Sequence, residues 1–352
     1  MRQIGGLRFW DTSRAEFNSL LTTRELEELA ANPSMTVLQC GEPVDARVWR
    51  LLNEYFFSKR PDVELRIYGH YSAECDLAFA GQMTNVRHFA ADCLMQAKNI
   101  AAIADIPNLE SLSLGVFELE DFGVLELLSP TLTKLSLGAT RSRKPSLSPL
   151  NRFRSLRVLY LEGHSKNIEV LKTLQQLEDI TLRSITIRDL SYLSHLNNLW
   201  SLDIKLGTIQ RFDGIDEKKS IKHLELWQVR GLRSVDILAN LPGLQNLFLQ
   251  SLPHITSLPS LRDLSSLRRI RLENLKGLHN FDVFETAPAL EEFALIDGTK
   301  QMPEELLPVL RNKSVRRING YFGSERKNLH FAHLREEHGK AEWNVWEPFQ
   351  YR

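Results

Sequence analysis

Four groups of residues in this 352-residue chain have types and spacings that could do chemistry. Gly163-His164-Ser165-Lys166-Asn167 approaches the G-x-S-x-G turn that presents a serine nucleophile after a strand. Its last glycine is Asn, so the segment reads as a plain turn. His330, His333 and His338, with Glu336 and Glu337, form the histidine cluster. The run from His333 to His338 misses the metalloprotease H-x-x-E-H by one position, and a five-residue step on a helix turns two ligands about 140° apart. A solvated cap helix is expected there, and no metal. Cys40, Cys75 and Cys93 lack C-x-x-C spacing and are expected to be small buried thiols. Arg141, Arg143, Lys144, Arg152 and Arg154 make a basic stretch around Pro145 and Pro149. With no aromatic neighbours to stack on bases, it reads as a solvated loop. No phosphate loop and no G-x-G-x-x-G is found, so no catalytic residue and no cofactor are expected.

The elements that would position such groups follow from a repeat. From Leu226, apolar residues fall every third position at Val229, Leu232, Val235, Leu238, Leu241, Leu244 and Leu247, then step by two to Leu249. The cycle restarts at Leu252 and again at Leu275, a period of 23 residues. The frame L-x-x-L-x-L recurs as Leu109/Leu112/Leu114, Leu132/Leu135/Leu137, Leu156/Leu159/Leu161, Leu177/Ile180/Leu182, Leu199/Leu202/Ile204 and Ile221/Leu224/Leu226. It continues through Leu244/Leu247/Leu249, Leu267/Ile270/Leu272 and Leu290/Phe293/Leu295, with degenerate copies at Val86/Phe89/Ala91 and at Val315/Ile318. A step of two is the strand period, so each coil contributes one short strand with its leucines inward. A step of three suits 3₁₀ or extended turns, which leaves no room for a long helix. One coil cannot bury its apolar side alone, so stability comes from stacking.

These residues resemble the leucine-rich-repeat superfamily, and the short 21–24-residue unit is most similar to its cytosolic members, including the class typified by a phosphatase regulatory subunit. The resemblance implies an α/β solenoid, a horseshoe with a parallel β-sheet on its concave face and 3₁₀ or extended segments on its convex face. It also implies binding rather than a reaction. One departure is clear. Where the superfamily often has Asn or Cys, three residues past the last strand leucine, this chain has Phe117, Thr140, His164, Ile185, Gly207, Val229, Leu252, Leu275 and Gly298. Backbone or water must satisfy the groups those side chains would have bonded.

Three segments are expected: an N-terminal helical and strand cap over 1–60, a solenoid of about 11–12 coils over 61–320, and a C-terminal cap over 321–352. Within the first, Thr23–Ala31 and Ala46–Ser58 read as helices and Met35–Cys40 as a strand. Leu38/Cys40 and Leu65/Ile67 read as inward pairs of two early coils. In the last, Trp343, Trp346, Phe349 and Tyr351 crowd together, either to cover an open core end or to bind a partner.

Forty-four basic and forty-four acidic residues cancel, so no global field draws the chain to nucleic acid or an anionic membrane. No apolar run has the length of a leader or a membrane span, and the expectation is a cytoplasmic monomer. The strand positions between and just after the leucines offer Tyr160, Glu162, Arg183, Asp203, Lys205, Glu225, Trp227, Phe248 and Arg271 as the candidate partner-binding face. The leading expectation is a non-enzymatic intracellular scaffold that recognises another protein there. The narrower alternative is an inhibitor or immunity-type regulator of an enzyme or toxin. The competing class is a ligase-like effector with repeats as its substrate-recognition domain, for which Cys40 and Cys75 are the nucleophile candidates.

Overall fold

A computed structural model describes residues 2–70, 74–142 and 145–352, so Arg143 and Lys144 of the basic stretch lie outside the described residues. The chain forms two compact units, Met1–Leu177 and Glu178–Arg352.

The first unit opens with an antiparallel meander, Arg2–Ile4, Leu7–Phe9 and Arg14–Phe17. Its third strand then starts a parallel ladder through Val37–Cys40, Glu64–Tyr68, His88–Leu94, Ser111–Val116, Lys134–Leu137 and Val158–Glu162. The register sets Leu112, Leu135 and Leu159 side by side, and likewise Leu114, Leu137 and Leu161, all buried. Period two explains this, because each strand turns its leucines to one side and its small or polar residues to the other. Leu38 pairs with Leu65 and Cys40 with Ile67, again buried, so the inward stripe runs well upstream of the regular repeats. A helix Thr23–Ala30 follows a capping box in which Thr22 and Glu25 bond each other's backbone N–H. The second helical stretch is Ala46–Leu51 continued as a π-turn, Leu52–Phe57, which packs Trp49 flat on Phe79.

The second unit repeats the ladder through Asp179–Arg183, Ser201–Lys205, His223–Trp227, Asn246–Gln250, Arg269–Glu273, Glu292–Ile296 and Arg317–Gly320. Ala341–Glu342 adds a last parallel strand, so pairing resumes after Gly320, where the leucine pattern has already stopped. The return half of the coils is built from 3₁₀ segments such as Ser148–Arg152, Ile168–Thr173 and Asp236–Asn240, as a three-residue beat requires. The longest helix, Glu325–Glu337, comes after the regular coils and buries Phe331 against Phe322. No helix among the described residues is long and apolar enough to cross a membrane.

The missing Asn ladder is replaced by backbone. Ser184, Leu206, Gln228, Ser251 and Asn274 each sit two residues past the last inward Leu or Ile of a strand, with φ between 50° and 56°. Each donates its N–H to the next coil, at Lys205, Trp227, Gln250, Glu273 and Ile296 respectively, over 2.8–2.9 Å. The left-handed turn costs strain in a non-glycine residue, and it carries the ladder of hydrogen bonds around the corner. Buried Gln301 adds a side-chain version, its Nε2 donating to the carbonyls of Leu275 and Leu278 at 2.8 Å each.

Candidate recognition surface

The outward strand face of the second unit has three columns. The middle one includes Asp203, Glu225, Phe248 and Arg271, and the one after it Arg183, Lys205 and Trp227. Lys205 is the hub: its ammonium lies 2.8 Å from Asp203 Oδ2 and 3.1 Å from Glu225 Oε2. His223 Nε2 lies 3.2 Å from the other Asp203 oxygen. Asp203, His223 and Glu225 are the one group among the described residues with ligand atoms close enough to share a metal. The lysine already supplies their cation, so the arrangement is an ion-pair lattice.

Electrostatics separates the two carboxylates. Burial acts to raise Asp203, but the hydrogen bond and charge of His223 and the charge of Lys205 outweigh it and hold the group below the usual carboxylate range. Burial pushes Glu225 up, and the neighbouring Asp203 charge adds to this despite Lys205. Burial would lower Lys205, but Asp203 and Glu225 win and keep it above its ordinary value. Arg271 is lowered, because burial outweighs the help of Glu273 and Glu225.

The aromatic residues are less open than the spacing suggests. Phe248 is only 9% exposed, with the Arg271 guanidinium carbon 3.6 Å above its ring centroid. Trp227 is half-buried, with Arg183 5.6 Å from its ring, and its indole N–H has no partner. The two are not a stacked pair: Phe248 faces Glu225 across the ladder and Trp227 faces Gln250.

In the first unit, Tyr160 and Glu162 sit two apart on one strand, the phenol donating to Glu162 Oε2 at 3.1 Å. They close one end of a cleft of about 530 Å³ floored by Ser113, Gly115, Ser136 and Gly138. A Cβ on Gly138 would stand 3.0 Å from the Gly115 Cα, so glycines let these strands carry a trough. Asp92 lines the trough as well, and Arg66 Nη2 holds it at 2.7 Å.

The other chemical candidates resolve into structure. His164 is fully buried, bonds the Gly138 carbonyl through Nε2 at 3.1 Å and packs edge-on against Phe122. His330 pairs with Glu304 at 2.8 Å, whereas His338 ends the helix with Nδ1 on the Leu334 carbonyl. Cys40 and Cys75 are buried, and burial pushes both thiols up to about 12, far from a poised thiolate. Cys93 is a correction to the expectation of three buried thiols: it is exposed, at a left-handed turn with φ 52°.

Two parts of the surface were not placed on this face by the sequence reading. One is the first column of the same face, Asp179, Ser201, His223, Asn246, Arg269, Glu292 and Arg317. Period two puts the residue before the first strand leucine on the same side as the two that follow, so the signal was present. The other is the segment after Trp343, which lies along this column. Trp343 itself is buried and caps the core, its carbonyl accepting from Asn319 Nδ2 at 3.0 Å.

No protein-family model matches the chain, and no curated protein matches it in sequence. Among solved structures it is similar to a chain of the Drosophila Toll–Spatzle complex, at 13% identity and a TM-score of 0.52, over 93% of this chain and 52% of that one. It is also similar to an internalin of Listeria monocytogenes, at 16% identity and a TM-score of 0.48, over 87% of this chain and 86% of the other. A leucine-rich-repeat protein of Leptospira interrogans matches at 17% identity and 0.43, over 92% and 94%. With strands stacked leucine on leucine and 3₁₀ return segments, the Toll-like match identifies the architecture: the fold is that of a leucine-rich-repeat solenoid.

Proposed function

We propose that the chain is a non-enzymatic recognition protein that binds another protein on the outward strand face. The observation that carries this reading is the ordered lattice of Lys205, Asp203, Glu225 and Arg271 interleaved with Trp227 and Phe248. Such a face is held on hydrogen-bonded strands before any partner arrives, which lowers the entropic cost of association. Trp and Arg together supply the chemistry of interface hot spots.

A protein rather than a nucleic acid is the partner because the face alternates in sign and the whole chain carries no net charge. A thiol-dependent ligase is disfavoured by the buried, raised thiols of Cys40 and Cys75. An inhibitor of an enzyme or toxin remains a special case of the same binding. On this reading the protein acts as a cytoplasmic monomer.

The test is quantitative affinity capture by wild type, Trp227→Ala and Arg183→Glu, each checked for an unchanged melting transition. A partner retained by wild type and lost at least about tenfold by both variants supports the reading. Equal retention by all three removes it.

A further inference from the structure

Residues 344–352 leave the core after Trp343 and run back over progressively earlier coils without joining the sheet. Their backbone is gripped by side chains. The Glu347 carbonyl accepts from Arg269 Nη1 at 2.8 Å and the Gln350 carbonyl from Arg268 Nη1 at 2.9 Å. The Arg352 carbonyl accepts from Gln245 Nε2 at 2.8 Å and Lys222 Nζ at 2.9 Å, while its N–H donates to Gln245 Oε1.

The side chains that face the coils alternate. Glu347 receives Arg317 Nη1 at 2.5 Å. Phe349 lies with Arg268 and Arg269 each 5.0 Å from its ring centroid. Tyr351 packs 4.9 Å from Trp200, and its hydroxyl accepts from Asn246 Nδ2 at 3.1 Å. The Glu347 N–H closes a turn on the Asn344 carbonyl at 3.0 Å, and from Glu347 onward the steps of two are those of an extended peptide.

We propose that this edge of the strand face is a binding groove for an extended acidic–aromatic peptide, Glu-x-aromatic-x-aromatic, presented by a partner protein, and that residues 347–351 occupy it in cis. The inference deepens the proposed recognition role and rests on it. Main-chain carbonyls held by fixed side-chain donors, with alternate side chains in cationic and aromatic niches, is how a protein reads an extended segment. The segment is also poorly sealed: Trp346 is 79% exposed and Tyr351 36% exposed. Hydrogen bonds and ion pairs at such an edge are individually weak, so tethering at millimolar effective concentration keeps the segment seated and a partner peptide must compete with it.

The experiment uses the full chain and a fluorescein-labelled peptide with the sequence of residues 344–352, followed by anisotropy. The variant Phe349→Ala/Tyr351→Ala loosens the segment outside the buried core. It is expected to bind the peptide at least about tenfold more tightly than wild type. Adding Arg268→Glu to that variant abolishes the gain, and a peptide with Glu, Phe and Tyr replaced by Ala does not bind. Equal binding by wild type and the loosened variant, or binding by neither, overturns the proposal. Partner capture that depends on Trp227 and is unchanged by loosening overturns this inference while leaving the recognition role standing. Peptide binding that behaves as expected, without Trp227-dependent capture, supports the groove and removes the wider face.

Discussion

Arg271 covers Phe248, the guanidinium carbon resting 3.6 Å from the ring centroid. The ring is thereby taken out of water without being taken into the core, and the surface offered at this point is the guanidinium. Replacing Arg271 by Ala is expected to uncover the ring and to cost about 0.5–2 kcal/mol. Urea denaturation measures the loss, and an unchanged midpoint would show that the stack carries no stability.

The leucine register makes a stronger demand. Leu247 is buried between Leu224 and Ile270 on the neighbouring strands, and its side chain has no water-exposed alternative. Leu247→Ala should cost about 2–5 kcal/mol, the transfer term plus the cavity left behind. Because coils are stabilised mainly by their neighbours, the loss should also appear as faster amide exchange in the flanking strands His223–Trp227 and Arg269–Glu273. Exchange that rises only far from these strands would contradict the stacking.

The period of three and the single step of two carry nearly all of the architecture, because both are direct consequences of which side chains must face inward. Leu112, Leu135 and Leu159 align on the repeat alone, and they pair in that order. The face was harder to read. Alternation places Glu225 and Trp227 outward, but it says nothing of Arg271 folding over Phe248, which depends on a long side chain's rotamer. The grip of Arg268 and Arg269 on residues 347–350 joins positions about eighty apart in sequence, and no local period encodes such a contact. The left-handed turns at Leu206 and Gln228 were equally silent, since neither residue type favours positive φ.

Lys205 separates two carboxylates that would otherwise repel. Lys205→Met removes the ammonium and keeps the stem, leaving Asp203 and Glu225 facing each other half-buried. A loss of about 3–5 kcal/mol is expected at neutral pH, as for a buried pair stripped of one partner. The pH dependence follows from Glu225, whose folded pKa is already raised by burial and by Asp203. A raised carboxyl binds more protons folded than unfolded, so its favourable contribution is full below the unfolded value and disappears as pH rises through the folded one. The Met variant raises Glu225 further, and its deficit should shrink as pH falls from about 7 to about 5. Denaturation midpoints of both proteins across that range decide the matter, and a deficit that grows on acidification would reverse the assignment of charge.

Gln301 performs with one amide what the left-handed turns do with backbone. It is 1% exposed, and its Nε2 donates to both Leu275 and Leu278, two carbonyls that no strand partner reaches. Asn312 does the same in the next coil, donating to Phe284 and Ala287 at 2.7 and 2.8 Å. Gln301→Ala leaves the Leu278 carbonyl without its side-chain donor and the Leu275 carbonyl with only the Leu278 N–H at 3.2 Å, and a loss of about 1–3 kcal/mol follows from the desolvation left uncompensated. The two amides serve different carbonyls and share no hydrogen-bond partner, so the Gln301→Ala/Asn312→Ala double variant should lose nearly the sum of the single losses. Guanidinium denaturation of the four proteins measures the cycle. Losses that do not add would mean that the coils respond as one cooperative block, with the first lost amide already loosening the turn that the second one holds.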